Sequence, residues 1–480
     1  MAERLLRPFA LGLLAAGLAA CTVGPNYTRP DTSAPAAFDQ AGAAELGVQY
    51  AADTAVASSV WQSFGDPVLL QLIDRASTAN RDLAVTAARL NEARAIRGLE
   101  TFALFPTVTA GADGERSKPS SGDPFVPPDI GITETYRAGF DVLWEIDLFG
   151  GARQTRRAIS AEVEAAAADL DAARIALVAE VAQAYFSLRA EQDRLRVQQT
   201  QVDNLTENLR LLELRRDAGR GTELDVARSN ALGLAVAARL PLTQSAVARQ
   251  EQRLAVLTAW PIATLRETLG AAAPIPAMPQ LVAVGAPEEW LRRRPDVRAA
   301  ERRLAAATAE VGVEVAEYFP KLSLTGGFGW TAQDASDLGR GFTERWRVGP
   351  TISWSFLDFG RVRQRVLAAE ARAEGALASY EQSVLLALEE VESSLAQYRG
   401  ANLNALVLER AVSRSHDAVE LAKARFDAGA ANSLEVLDAE RTQLDLEDQF
   451  ATAQAQRASA LAALYKALAG DFARRSDDAQ

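Results

Sequence analysis

The sequence predicts a mainly α-helical chain with membrane β-strands, built from two copies of one unit. Three observations predict this fold class. The chain repeats itself after roughly 210 residues. Several segments alternate between apolar and polar residues, which is typical of half-apolar strands. Two stretches of 68 residues, 151–218 and 361–428, contain no proline and are rich in alanine, the strongest helix former.

The chain begins with a segment that is typical of export signals. Arg4 and Arg7 provide a basic start, and residues 9–20 form an apolar run. A transmembrane helix needs about 20 apolar residues, so this run is too short to span a membrane. A basic start, a short apolar core and small residues at its end predict a secretory signal peptide over residues 1–20.

Cys21 is the only cysteine of the chain and directly follows this signal. Residues 18–21, Leu-Ala-Ala-Cys, resemble the bacterial lipobox. That resemblance implies cleavage before Cys21, an S-diacylglycerol on its thiol and an N-acyl chain on its new amino group. Thr22, where an aspartate would favour the inner membrane, implies an outer-membrane lipoprotein. The alternative is a plain signal that is cut nearby and leaves Cys21 unmodified.

Composition excludes several classes of protein. The formal net charge is −12, which argues against nucleic acid as a partner. One histidine, His416, and one cysteine cannot form a zinc cluster, and no glycine-rich phosphate loop is present. We therefore predict no enzyme and assign no catalytic, cofactor-binding or metal-binding residue. After the signal we expect no membrane helix, so a membrane crossing would need strands.

The internal repeat fixes the organisation of the chain. Residues up to Pro106 match residues 214 positions later, and residues from Trp144 onward match residues 210 positions later. The register slips by four residues in one place only, which indicates an insertion in a loop. Matching pairs include Asp82 with Asp296, Gly98 with Gly312, Pro106 with Pro320, Trp144 with Trp354, Gly150 with Gly360, and Gly219 with Gly429.

Four segments are predicted as strands: 105–113, 136–148, 321–331 and 345–357. Their even positions are mostly apolar and their odd positions mostly polar, and about 9–11 residues suffice for a tilted membrane crossing. A soluble sheet with one buried face would show the same alternation. We expect Ile352 near the lipid-facing midplane. The expected lipid-facing residues also include Trp144, Ile146, Trp354 and Phe356, and the expected lumen-facing residues are Glu145, Ser353 and Ser355.

Four strands cannot close a membrane barrel, because an open edge leaves backbone groups unpaired in lipid. Small barrels begin at eight strands. The predicted barrel must therefore be shared between chains. Two chains would supply eight strands and three chains would supply twelve, and the residues alone do not choose between these.

Each copy continues from its second strand into one long helix. A seven-residue apolar repeat runs along both helices, which is typical of coiled coils. Both helices end at Asp-Ala-Gly, where Gly219 and Gly429 can adopt the left-handed conformation that closes a helix. Returning helices are expected at about 222–260 and 433–470, and shorter helices near 66–100 and 288–317.

Four segments resemble the outer-membrane efflux protein family, in its lipoprotein branch of the NodT and OprM type, which is related to TolC. They are CTVGPNYTRP at 21–30, WQSFGDPVLLQLIDRASTANRDLAVTAARLNEARA at 61–95, PEEWLRRRPDVRAAERRLAAATAEVG at 287–312 and FDAGAANSLEVLDAERTQL at 426–444. The resemblance implies a homotrimer with a shared 12-stranded outer-membrane barrel, continued by a periplasmic α-helical barrel. It also implies a periplasmic adaptor and an inner-membrane transporter of the resistance-nodulation-division (RND) class as partners.

Residues and resemblance together predict six segments. They are the signal peptide at 1–20, a lipidated N-terminal segment at 21–65, a first repeat at 66–270, a linker at 271–287, a second repeat at 288–470 and a tail at 471–480.

The family resemblance also implies an acidic gate at the periplasmic entrance. Its pattern falls on Glu435 and Asp438, three residues apart on one helix. Glu435 could instead only cap its helix together with Asn432. Asp438 is the stronger candidate, because the matching residue of the first copy is Arg228. Phe426 and Ala431 replace the tyrosine and arginine that lock TolC-type channels, so that lock is not expected here. The turn residues Gly219 and Gly429 are candidates for adaptor contact.

The predicted function is a passive export duct for small molecules, energised by a partner in the inner membrane. One alternative is a channel for type I polypeptide secretion on the same architecture. A second, from another class, is a lipid-anchored periplasmic coiled-coil protein with a soluble sheet.

Overall fold

A computed structural model describes residues 22–31, 35, 37–39, 48–50, 60–120, 122, 124–125, 131–276, 278, 282–284 and 287–468. Residues 1–20, Cys21 and the tail at 471–480 lie outside the described residues. The described chain forms two compact units. The first comprises Met1–Pro30, Arg89–Ala166 and Ala299–Tyr380, and the second comprises Asp31–Ala88, Ala167–Arg298 and Glu381–Gln480.

Helices dominate the described chain, as predicted. They are α1 Pro67–Ala79, α2 Arg81–Phe102, α3 Gly151–Asp217, α4 Glu223–Ala237, α5 Leu240–Thr258, α6 Ile262–Leu269, α7 Pro287–Arg293, α8 Pro295–Ala316, α9 Arg361–Asp427 and α10 Ser433–Ala467. The long helices α3 and α9 contain 67 residues each. Six strands accompany them, namely β1 Val48–Tyr50, β2 Thr107–Ser117, β3 Thr133–Ile146, β4 Val282–Val284, β5 Lys321–Ala332 and β6 Glu344–Ser353.

Three predicted single helices are each broken into two. The returning helix of the first copy stops at Ala237 and restarts at Leu240, because Pro241 cannot donate a helix hydrogen bond and clashes with the preceding turn. The shorter helices break at Asn80 and at Arg294. Pro295 explains the second of these breaks in the same way.

The polar residues at those two breaks have matching roles in the two copies. The buried Asn80 side chain donates to the Leu257 carbonyl oxygen at 3.0 Å. The buried Arg294 guanidinium donates to the Ala467 carbonyl oxygen at 2.9 Å. Each therefore satisfies a carbonyl at the C-terminal end of the returning helix of its own copy, where helices leave acceptors unpaired.

The first unit contains a four-stranded antiparallel sheet in the order β2-β3-β5-β6. Residues of equal parity lie opposite each other, for example Val142 opposite Val108 and Gly326. Because opposed residues share a face of the sheet, the apolar stripes of all four strands lie on one face. That face carries Val108, Ala110, Phe140, Val142, Trp144, Ile146, Leu322, Leu324, Phe328, Trp330, Trp346, Val348 and Ile352.

The last strand ends at Ser353, four residues before the predicted end at 357. Trp354 and Phe356 therefore lie beyond the strand. The register explains the early end, because Ser353 lies opposite Lys321, the first residue of β5. Asp358 caps α9, since its carboxylate accepts from the backbone N–H groups of Gly360 at 2.9 Å and Val362 at 2.7 Å. Ile352 is the penultimate residue of β6 and lies near the end of that strand, whereas a midplane position is expected near a strand's centre.

The sequence did not predict the short parallel pair of β1 and β4, which brings residues 48–50 beside residues 282–284 in the second unit. The core of that unit is rich in aromatic rings. The ring centroids of Phe64 and Phe186 lie 5.2 Å apart, and those of Trp61 and Tyr465 lie 5.8 Å apart.

One stretch departs from the expectation that nothing after the signal is long and apolar enough for a membrane helix. The stretch Glu223–Thr258 is long and apolar enough, by length and composition alone, to cross a membrane. Its polar groups nevertheless bind neighbouring helices of the second unit. Arg239 lies 3.6 Å from Asp445 of α10, and the Thr243 hydroxyl donates to Gln198 of α3 at 2.9 Å. These contacts are those of a helix packed within a protein bundle.

Candidate functional site

The sheet presents its second face as a strip of charged and hydroxyl side chains. Arg137 lies 3.3 Å from Asp113 on the neighbouring strand, and Arg347 lies 3.4 Å from Asp141. Leu143 is an apolar exception on this face, opposite Thr107 and Thr325. The polar residues of the face are Thr107, Thr109, Asp113, Glu115, Ser117, Thr133, Thr135, Arg137, Asp141, Glu145, Lys321, Ser323, Thr325, Thr331, Arg345, Arg347, Thr351 and Ser353.

Two tryptophans bond the backbone just before strands β2 and β5. The indole N–H of Trp144 donates to the Leu104 carbonyl oxygen at 3.0 Å, and that of Trp354 donates to the Tyr318 carbonyl oxygen at 3.1 Å. Both acceptors lie just before a strand, so the same bond recurs in each copy. This position suits tryptophan, whose ring is apolar and whose N–H needs a partner.

The turns after α3 and α9 have the same closed geometry. Gly219 has φ +71° and Gly429 has φ +70°, values that glycine adopts without strain. In the first turn the N–H of Arg220 bonds the Arg215 carbonyl oxygen at 2.8 Å, and the second turn repeats this bond. This is the Schellman arrangement, in which the residues after the helix satisfy its last carbonyls. Both predicted turn residues therefore lie where the helices reverse.

The two returning helices begin differently. Thr222 and Asp225 form a complete capping box at the start of α4. At the start of α10, Asn432 accepts from the Glu435 N–H at 3.1 Å, whereas the Glu435 carboxylate lies 3.4 Å from Arg425 on α9. Glu435 thus faces the neighbouring helix with a side chain that is 45% exposed.

Asp438 lies on the same helix as Glu435, and its carboxylate is 3.0 Å from Arg441. Both side chains of this pair are 65% exposed, so the pair stabilises little and leaves the carboxylate accessible. A ring of these carboxylates would need several copies of the chain, and the gating role of both acids stays a prediction.

A contact that the sequence did not predict joins the two turns of the chain. The guanidinium of Arg215 lies 4.3 Å from the centre of the Phe426 ring and 3.4 Å from the Asp427 carboxylate. Phe426 has no hydroxyl group and contacts the guanidinium through the face of its ring, which is a cation–π contact. Ala431 lies in the second turn and offers no polar side chain. Lone charged residues at a turn give no periodic signal, which is why sequence reasoning missed this contact.

His416 takes part in a helix-to-helix contact. Its Nε2 lies 3.1 Å from a Glu447 carboxylate oxygen, and its Nδ1 lies 3.1 Å from the Gln443 amide. In the part of the chain that the structure describes, no group of three His, Cys, Asp or Glu side chains is placed to hold a metal ion.

Replacing both Glu435 and Asp438 by alanine is expected to weaken block by divalent cations applied from the periplasmic side. If copies of the chain gather these carboxylates around one axis, they raise the local cation concentration, so their removal should lower affinity for the blocking ion. Single-channel recording in planar bilayers measures this.

Glu207→Ala is the matched control, because Glu207 pairs with Arg210 at the same i,i+3 spacing but lies away from the turn. Conductance and block equal to wild type in the double variant would remove both acids from the gate.

Comparison with known proteins places this geometry in a family. The model of the outer membrane efflux protein family matches residues 72–259 and 286–470. The chain is 34% identical to outer membrane protein OprJ of Pseudomonas aeruginosa over 96% of this chain and 95% of that protein. It is 32% identical to the toluene efflux pump outer membrane protein TtgF of Pseudomonas putida over 96% of each.

A solved structure shows the same fold. The outer-membrane channel OprN superposes with a TM-score of 0.87 at 40% identity, over 94% of this chain and 99% of that one. The predicted two-part repeat and mainly helical fold with four sheet strands are thereby confirmed, and so is the prediction that the protein is not an enzyme. This chain belongs to the outer membrane efflux protein family and is an outer-membrane channel of efflux pumps.

Proposed function

We propose that this channel is a homotrimer whose three sheets form one 12-stranded barrel, and that it serves as a passive duct for small molecules. The four-stranded sheet is the observation that supports this proposal. Its edge strands β2 and β6 have no second partner among the described residues, and its apolar face is exposed, with Trp346 at 72% and Val348 at 67%. Lipid tolerates an apolar face but not an open edge, so copies must pair edge to edge.

The partners follow from the same proposal. A duct has no energy source of its own, so we assign energy coupling to an inner-membrane transporter of the RND class, reached through a periplasmic adaptor at the helical turns. The chain's likeness to efflux-pump channels supports this assignment. We also propose the six segments predicted from the sequence, with repeats at 66–270 and 288–470.

Native mass spectrometry and conductance test the assembly together. The purified protein in detergent should have the mass of three mature chains and should open ion-conducting pores in planar bilayers. A two-chain mass would exclude the 12-stranded barrel. An absence of conductance from a three-chain particle would contradict the duct.

The described start of the chain supports the proposal that Cys21 carries lipid. The N–H of Val23 donates to the Phe149 carbonyl oxygen at 3.1 Å. A side chain at Gly150 would come within 2.7 Å of Thr22, so the two segments touch at the corner between β3 and α3. Residue 21 precedes Thr22 directly, next to the end of a membrane strand. An acyl group attached to residue 21 could therefore enter the bilayer directly, without a stretch of polypeptide to bridge the distance.

Mass spectrometry of the mature protein should find Cys21 as its first residue, with diacylglycerol on sulfur and a fatty acyl chain on nitrogen. Cys21→Ala should abolish both modifications, while the strands still insert. An unmodified Cys21, or a mature chain that starts elsewhere, would contradict the proposal.

A further inference from the structure

We propose that the first unit contains a binding site for the phosphate group of a membrane phospholipid. The site is a cavity of about 410 Å³ between the N-terminal segment, α3 and α8. Cavities of this size fall within the range of small-ligand sites. Its lining includes Tyr27, Arg153, Arg156, Arg157, Ser160 and Arg302.

Polar and apolar contacts join the N-terminal segment to the helices that line this cavity. The Tyr27 hydroxyl donates to the Glu301 carboxylate at 2.5 Å, and burial together with this bond raises the pKa of the phenol. Arg302 binds Glu301 and also lies 3.1 Å from Glu164. Tyr27 also packs against the buried Ala161 and Ala306. The N-terminal segment is therefore held in place as one side of the cavity.

Two cations of the lining are not neutralised. Arg302 is paired with Glu301 and Glu164, and Arg153 is paired with Asp147 at 3.0 Å. Arg156 and Arg157 are exposed and make no ion pair or hydrogen bond with any described residue. Guanidinium groups bind phosphate oxygens through parallel charge-assisted hydrogen bonds. Two such groups beside one cavity match a phosphate better than they match a neutral ligand.

The position along the chain favours a lipid as the source of that phosphate. The membrane strand β3 ends at Ile146 and α3 begins at Gly151. Arg156 and Arg157 lie on the second turn of α3, which is about 8–9 Å along the axis from its start. If β3 crosses the outer membrane as proposed above, this turn lies at the level of the headgroups of the inner leaflet. The depth suits phosphate groups of lipids.

The second copy of the repeat lacks this feature. The residues that match Arg156 and Arg157 are Val366, which is buried, and Leu367. The corner between strand and helix therefore does not itself require arginine. The two cations occur at the corner where the Val23 N–H bonds the Phe149 carbonyl oxygen.

Lipid binding to the full-length protein in detergent tests the proposal. After delipidation, native mass spectrometry with added phosphatidylglycerol should show one retained lipid for each chain. Arg156→Gln with Arg157→Gln should weaken that binding at least about tenfold, since charge-assisted bonds are lost. Its thermal unfolding should match wild type, because neither side chain makes an ion pair or hydrogen bond with any residue that the structure describes.

The control variant is Arg361→Gln with Arg363→Gln, which removes the same charge near the start of α9 outside this cavity. An equal loss of lipid in this control, or no loss in the first variant, would overturn the site. Diacylglycerol of the same chain length lacks phosphate and should not be retained; equal retention would overturn phosphate recognition. Displacement of the lipid by inorganic phosphate at equal concentration would show a site for free phosphate and overturn the lipid assignment.

Discussion

Replacing Arg294 by methionine is expected to lower the free energy of unfolding by about 1–3 kcal/mol, the cost of leaving the buried Ala467 carbonyl oxygen unpaired, because the Asp296 and Glu390 carboxylates are themselves 46% and 31% exposed. The Arg294 side chain is 9% exposed. It binds the Asp296 carboxylate at 2.8 Å, the Glu390 carboxylate and the Ala467 carbonyl oxygen at 2.9 Å. Methionine fills the space but donates no hydrogen bond. Far-UV circular dichroism during denaturant unfolding in detergent measures the loss.

Arg292→Met is the matched control, two residues earlier in the same arginine run. Arg292 pairs with Glu288 at 2.8 Å, but both side chains are more than 60% exposed. An exposed pair of this kind contributes about 0.2–1 kcal/mol. Losses of equal size in the two variants would contradict the special role of Arg294.

The acid dependence of stability gives a second readout of the same network. Burial raises the pKa of Glu390, but its bonds to Lys466 at 2.9 Å and to Arg294 outweigh burial and hold that pKa below its ordinary value of 4.5. The stabilisation is therefore complete above pH 4.5 and is lost as pH falls through the folded-state pKa. The difference in unfolding free energy between wild type and Arg294→Met should shrink over that range. A difference that does not change with pH would exclude Glu390 as the partner that matters.

Periodic features of this protein could be predicted from its sequence. Alternation over ten residues fixes which side chains share a face, because a strand has a period of two. The register bears this out, with Val142 opposite Val108 and Gly326. The turns at Gly219 and Gly429 were predictable for a similar reason, since glycine after a helix has a local structural meaning.

Contacts between distant residues could not be predicted in this way. Asn80 and Arg294 each bond a carbonyl more than 170 residues away, and a lone polar residue between two helices has no periodicity. The pairing of Val48–Tyr50 with Val282–Val284 is too short to leave a pattern. At the turns, the sequence indicated Glu435 and Asp438 but not the contact of Arg215 with Phe426, for the same reason.

Replacing Val348 by arginine is expected to cost about 2–4 kcal/mol of insertion and assembly free energy, the value for a cation on the lipid face at the membrane midplane. Val348 lies at the centre of β6, opposite Gly326. Its side chain is 67% exposed on the apolar face of the single chain. If that face meets lipid, an arginine there must desolvate or distort the bilayer. The yield of assembled trimer in native gels measures the loss.

Two further arginine variants separate the effect of depth in the membrane from the effect of the face of the sheet. Ile352→Arg is on the same face but one residue from the end of β6, where the cost should fall to about 0–1 kcal/mol. Thr351→Arg lies on the polar face opposite Ser323, so it should assemble normally and lower single-channel conductance to cations instead. Equal assembly of Val348→Arg and Thr351→Arg would show that the apolar face does not meet lipid. That result would favour the alternative that these strands form a soluble sheet with one buried face, which shows the same alternation.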